Sequence, residues 1–257
     1  MKIYNSIPLI MLTTALTLPG AASAQTDELN GIWLVHSEGE RDYPTSEWSP
    51  EELPFTAEGE EAFAANIPVG GEERRLAALS NDPLGGANPA GLYRSLLYNR
   101  PWEFVQLPDR VLQVFEYGNH WRTIWTDGRE VPDEIVTGPY WYGYSVGRWE
   151  GDTFIVQTID LDGRAWMAPD GTPLSRYGAK VEERWTRASN NSLELSITVN
   201  DPGLYSRPWS SDVKTYALQP RDSESGELKE LIFAPIDEIE FNTRVRDPSA
   251  TGPNQVD

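Results

Sequence analysis

The chain is expected to form an all-β protein: an antiparallel meander that closes into a barrel, with a long irregular N-terminal excursion and one short helix. Three observations carry this expectation. From Trp102 onward the sequence is a succession of short runs rich in Val, Ile, Thr and aromatic residues. The pairs Pro-Asp, Gly-Asn, Asp-Gly, Gly-Asp and Asn-Asn punctuate them as turn signals. No segment after Trp102 keeps a helical period over about twelve residues. A closed sheet leaves no strand edge bare, so nine short strands in sequence favour a barrel, with a β-sandwich as the alternative.

Residues 1–24 read as a signal peptide. Met1-Lys2 gives a charged start, Ile7 to Leu18 an apolar run, and Ala22-Ser23-Ala24 an A-x-A cleavage site. About 12 apolar residues fall short of the ~20 that span a bilayer, so no membrane span is expected. The expected location is therefore secreted or periplasmic, with cleavage after Ala24. The rest, residues 25–245, is expected to be a single β-barrel domain, and 246–257 a disordered polar tail. The chain has no cysteine, so neither disulfides nor thiolate metal sites contribute and the core alone must stabilise the fold.

"LNGIWLV" supplies the first strand. Residues 37–101, dense in Pro, Gly and Glu, are expected to form a loop-rich covering segment. Within it Thr56 is placed to cap a short helix over 58–66 that Pro68 ends, while "NDPLGGANPAGLYR" reads as irregular. The remaining strands are "WEFVQL", "RVLQVFEY", "HWRTIWT", "YWYGYSVGRW", "TFIVQTIDL", "KVEERWTR", "SLELSITV" and "DVKTYALQ".

Hairpin geometry then assigns faces. A two-residue Gly118-Asn119 turn would oppose Tyr117 to His120, giving one face with Gln113, Phe115, Tyr117, His120, Arg122 and Ile124. A Gly151-Asp152 turn opposes Trp149 to Phe154. The face with Trp141, Gly143, Ser145, Gly147, Trp149, Phe154, Val156, Thr158 and Asp160 then alternates small and large residues, as a tapering interior does. The apolar set Leu193, Leu195, Ile197 and Val199 matches Val181, Glu183 and Trp185. Glu183 therefore falls on an apolar face, either paired with an arginine for structure or held at a cavity wall as a functional carboxylate.

The 40 acidic against 21 basic residues, net charge −19, repel a phosphate backbone and exclude nucleic acid as a partner class. Nucleotide loops and H-E-x-x-H are missing. His36 and His120 are the two histidines, so a multi-histidine metal site is excluded. No metal site is assigned, with carboxylates around Asp160 to Gly163 as a calcium alternative that lacks the EF-hand pattern. No cofactor is expected. The 11 Tyr and 10 Trp offer flat faces for a small aromatic or carbohydrate-type ligand. Candidate ligand-binding residues are Trp141, Tyr142, Asp160, Trp166, Arg122 and Arg164. The alternative is a cofactor-independent lyase, isomerase or glycoside or lactone hydrolase. In it Glu183 or Asp162 acts as base, Tyr144 or His120 as acid, and Arg122 or Arg164 stabilises the developing anion.

"GLYRSLLYNRPWEFVQLPDRVLQVFEY", "WRTIWTDGR", "YSVGRWEGDTFIVQT" and "VEERW" resemble a family of exported bacterial proteins over roughly residues 53 to 220, most specifically in "VGRWEGDT". The resemblance implies that Arg94, Arg122, Arg129, Arg164, Trp166, Glu183 and Arg184 belong to shared motifs. It implies no catalytic role. Asp160-Leu161-Asp162 departs from the family's "GFN" at that point, which would alter ligand specificity located there. Separately, Gly31-Ile32-Trp33 is similar to the G-x-W that opens lipocalins and other calycin barrels, which makes the expected barrel lipocalin-like.

Overall fold

The computed structural model describes residues 29–35, 47–49, 52–68, 81–86, 88–133 and 138–231. The expected signal peptide, the tail from 246, His36 and much of the covering segment lie outside them.

All nine runs expected as strands form strands: β1 (Gly31–Val35), β2 (Trp102–Leu107), β3 (Arg110–Phe115), β4 (His120–Trp125), β5 (Tyr144–Glu150), β6 (Thr153–Ile159), β7 (Lys180–Ser189), β8 (Ser192–Asn200) and β10 (Lys214–Leu218). Each pairs with the next, β10 pairs with β1, and β10 also pairs with β8, so the nine close into a ring. The two-residue β9 (Trp209–Ser210) adds to β8 outside it. The fold is thus a closed all-β barrel rather than a sandwich.

One joint departs from an antiparallel meander. β4 and β5 run parallel, through Ile124↔Ser145 and Trp125↔Val146. Parallel neighbours need a crossover of about a dozen residues or more, and the chain from Thr126 to Gly143 provides it. Within it Val131 and Pro132 lie against the outer face of β6, β7 and β8. The "YWYGY" run accordingly starts its strand late. Gly143 at φ 66 and the bond from its N–H to the Tyr140 carbonyl make a turn of residues 140–143.

The β5–β6 and β7–β8 registers are those expected, with Trp149↔Phe154 and Glu183↔Ile197. The β3–β4 register differs by two residues: Phe115, not Tyr117, faces His120. A turn from Glu116 to Asn119, closed by the Asn119 N–H on the Glu116 carbonyl, takes up the extra residues. Because side chains alternate with period two, a shift of two leaves each residue on its expected face.

α1 (Ala57–Asn66) matches its expectation, with Thr56 Oγ1 accepting from the Gly59 N–H. α2 (Leu92–Leu97) was not foreseen: its "LYRSLL" lies in the stretch read as irregular, and all six residues are buried. It plugs one end of the bore. The Tyr216 hydroxyl on β10 donates to the Leu96 carbonyl, and the Tyr93 hydroxyl reaches β7. Below it Trp102, Phe104, Trp185 and Tyr216 pack largely edge to face, each at most 1 % exposed. At the hairpin end Arg187 lies 4.9 Å over the buried Trp33 ring of the G-x-W.

Small residues are required where the wall is tightest. A Cβ on Gly147 would sit 2.5 Å from Phe154 Cζ and 2.8 Å from Ile124 Cγ2, beside the parallel joint. Gly147→Ala is expected to lower unfolding free energy by about 1–3 kcal/mol, the usual cost of overpacking. Urea titration measures it, and an unchanged midpoint would contradict this packing.

Candidate functional site

The bore is organised around one ion pair. Arg122 on β4 faces Glu183 on β7, with Nη2 2.6 Å from Oε2 and Nη1 2.8 Å from Oε1, and both side chains are essentially unexposed. Arg122 Nε donates to Gln113 Oε1 on β3 at 2.7 Å. Glu183 Oε1 also accepts from Tyr93 of α2 and Thr158 of β6, both at 3.2 Å, and Oε2 from Trp185 Nε1 at 3.0 Å. Ser145 on β5 bonds Thr158 at 2.9 Å and lies 3.4 Å from Arg122 Nη1. A buried charge needs a partner and satisfied lone pairs, and here five strands and a helix provide them. Gln113 Nε2 alone is left without a partner. Burial, with the Glu183 carboxylate adjacent, pushes the Tyr93 hydroxyl well above its usual range.

The four candidate acid–base residues are not brought together. Glu183 has no exposed surface, and both its oxygens are engaged by Arg122, Tyr93, Thr158 and Trp185. Tyr144 faces outward, where its hydroxyl accepts from Arg129 Nη1 at 3.0 Å. Asp162 lies in the loop after β6 and accepts from the Arg164 backbone N–H, Nε and Nη2. These bonds hold its carboxyl below the usual range. His120, at the start of β4, packs its ring 5.4 Å from that of Tyr142, and burial lowers its imidazole pKa.

The candidate ligand contacts divide in the same way. Tyr142 is buried against Phe115, 3.5 Å from Ser95 Oγ, and burial raises its hydroxyl to about 12. Trp166 is 3 % exposed beneath the Arg94 guanidinium, 5.4 Å from its ring centroid, and Arg94 is paired with Asp82. Trp141 carries Arg164 at 4.5 Å, and the Asp160 carbonyl accepts from the Tyr140 N–H. Among the described residues, no His, Asp and Glu gather in a group able to hold a metal ion.

Open concavities lie instead on the outside of the wall. One of about 580 Å³ runs along β1 and β2 against Leu218–Arg221. Its amides are already committed: Asn30 Oδ1 accepts from the Gln106 N–H, Gln106 Oε1 from the Leu29 N–H, and Gln219 Nε2 donates to Ala217. Another, about 430 Å³, lies over β6, β7 and β8, where Val131 and Pro132 of the crossover flank it.

Alternation lays out this second pocket. Val156, Thr158, Val181, Glu183 and Val199 point into the barrel, so Gln157, Ile159, Lys180, Glu182, Thr198 and Asn200 point out. Gln157 pairs with Glu182 and Glu182 with Thr198, one row across three strands; Lys180 pairs with Asn200 in the next row. Thr198 is bonded to Ser210 Oγ and Glu182 to Arg184 Nη1. Gln157, Lys180 and Asn200 make no side-chain hydrogen bond among the described residues. In the sequence these residues were indistinguishable from an ordinary solvated strand face. Only the crossover makes the face concave.

No protein-family model and no curated protein matches the chain. Among solved structures it is similar to a mutant of the fluorescent protein UnaG, at 10 % identity and a TM-score of 0.32, over 76 % of this chain and 98 % of that one. A likeness that loose carries neither a site nor a ligand across.

Glu183→Gln removes the charge that neutralises buried Arg122 and is expected to cost about 3–5 kcal/mol in denaturant unfolding. The double variant Arg122→Met, Glu183→Leu should recover much of that loss, because no charge is then stranded. His120 should titrate by NMR below the free imidazole value of about 6.5, and Tyr142→Ala, by admitting water, should move it back up.

Proposed function

We propose that this protein is an exported, non-catalytic binding protein for a small carbohydrate-type ligand, held in the pocket on the outer wall over β6, β7 and β8. The observation that carries this reading is the set of side chains Gln157, Lys180 and Asn200, unpaired among the described residues, which line with Glu182 and Thr198 a concavity of about 430 Å³. That volume is within the range of small-molecule sites, about 300–1,000 Å³.

The donor and acceptor set supports hydroxyl recognition. Each amide offers two N–H donors and a carbonyl acceptor, the ammonium donates, the carboxylate accepts and the threonine hydroxyl does both. A hydroxyl is itself donor and acceptor, so a ring of adjacent hydroxyls can satisfy such a mixture. Ile159, Val131 and Pro132 add apolar surface for the C–H face of a sugar ring. The filled bore and the scattered acid–base candidates favour binding over turnover. The leader pattern of residues 1–24 supports export.

Calorimetric titration of the protein with glucose, galactose, mannose and the corresponding uronates tests the reading. At least one sugar should bind. Gln157→Ala with Asn200→Ala should weaken it about tenfold, the loss of one or two net hydrogen bonds. The thermal midpoint should hold, since neither side chain makes a hydrogen bond among the described residues. A panel that gives no binding, or a double variant that binds as the wild type does, would refute the site.

A further inference from the structure

We infer that the ligand of this pocket carries a carboxylate beside its hydroxyls, making it a uronic-acid-type sugar, and that Lys180 selects it. The inference rests on the binding reading above and adds the charge of the ligand.

The pocket has two charged side chains of opposite sign, and they are not equivalent. The Glu182 carboxylate is engaged by Arg184 Nη1 at 3.1 Å, on its own strand. Its charge is answered before any ligand arrives. Lys180, two residues earlier on the same face, is exposed and makes no ion pair among the described residues. This matters because the chain has 40 acidic residues against 21 basic ones. Among the described residues most cations are taken: Arg94, Arg110, Arg122, Arg129, Arg148, Arg164, Arg184 and Lys214 each lie within 3.1 Å of a carboxylate oxygen. A lysine without an acid, lining a pocket between two unpaired amides, leaves positive charge as the uncommitted charge of the site.

Placement strengthens the assignment. Lys180 is paired in register with Asn200 and lies beyond Val181, whose partner on β6 is Thr158, so Ile159 is its neighbour on the other side. The ammonium thus projects at the end of the pocket nearer the long loops, while Gln157, Glu182 and Thr198 form the row behind it. A pyranose lying along the wall can set its ring hydroxyls on the amide and carboxylate row and its exocyclic carboxylate on Lys180. An amino sugar would meet the reverse: Lys180 repels its ammonium, and Arg184 already neutralises the carboxylate that would receive it through one of its two oxygens. A neutral sugar would leave the ammonium to water.

The test compares D-glucuronate with D-glucose, and D-galacturonate with D-galactose, pairs that differ only at the exocyclic carbon. Each is titrated calorimetrically at low and high salt into the wild type, Lys180→Gln and Lys180→Glu. The uronate of at least one pair should bind about fivefold more tightly than its neutral partner, the scale of one partly exposed charge-assisted contact. That preference should shrink in high salt, vanish in Lys180→Gln and reverse in Lys180→Glu. Equal binding of uronate and neutral sugar, or a preference that survives Lys180→Gln, overturns the inference while leaving the binding site in place. Absence of binding by all four sugars removes the site and the inference together.

Discussion

The Arg122–Glu183 ion pair is the constraint around which the barrel is arranged. Two opposite charges with almost no exposed surface are stable together only if their remaining donors and acceptors are satisfied, because the desolvation cost otherwise exceeds the attraction. Satisfying them recruits Gln113, Ser145, Thr158 and Trp185 from the wall and Tyr93 from the plug. Strands β4 and β5, joined by two register pairs alone, are thereby linked a second time through Arg122, Ser145 and Thr158. The network also fixes how deep α2 sits, since its tyrosine hydroxyl has one carboxylate to reach.

A bore filled this way moves recognition to the outside. Trp102, Phe104, Trp185 and Tyr216 occupy the space beneath the plug. The parallel joint has the opposite effect on the wall. It brings Val131 and Pro132 against the outer face of the sheet, and a surface that would be flat becomes a recess, bounded by Pro132 and Asn200. Enclosure lost inside is partly regained outside.

Much of this was legible in the sequence. Nine strands, the capped helix, two hairpin registers and the burial of Glu183 beside an arginine follow from alternation, turn residues and the cost of an unpaired carboxylate. The β3–β4 register slipped because Gly118-Asn119 is a strong two-residue turn signal, yet Glu116 and Tyr117 join the turn. α2 was missed because six residues with glycine and proline before them show too little periodicity to count as a helix. The parallel joint left no local signal, since Asp127-Gly128 suits a hairpin as well as a crossover. The pocket was hidden for the same reason: Gln157, Lys180 and Asn200 are what a solvated face also contains, and only a distant segment gives them a common space.

The closure of β1 against β10 has a consequence in time as well as in space. The first strand finds its partner at Tyr216, Ala217 and Leu218, so almost the whole polypeptide must be present before the ring can shut. Until then Trp33 and Trp102, already next to one another in register, sit on an open, twisted ribbon with apolar rings facing outward. Closing such long loops is slow. A chain emerging from a pore N-terminus first would hold this unfinished, sticky intermediate until its final strand was delivered.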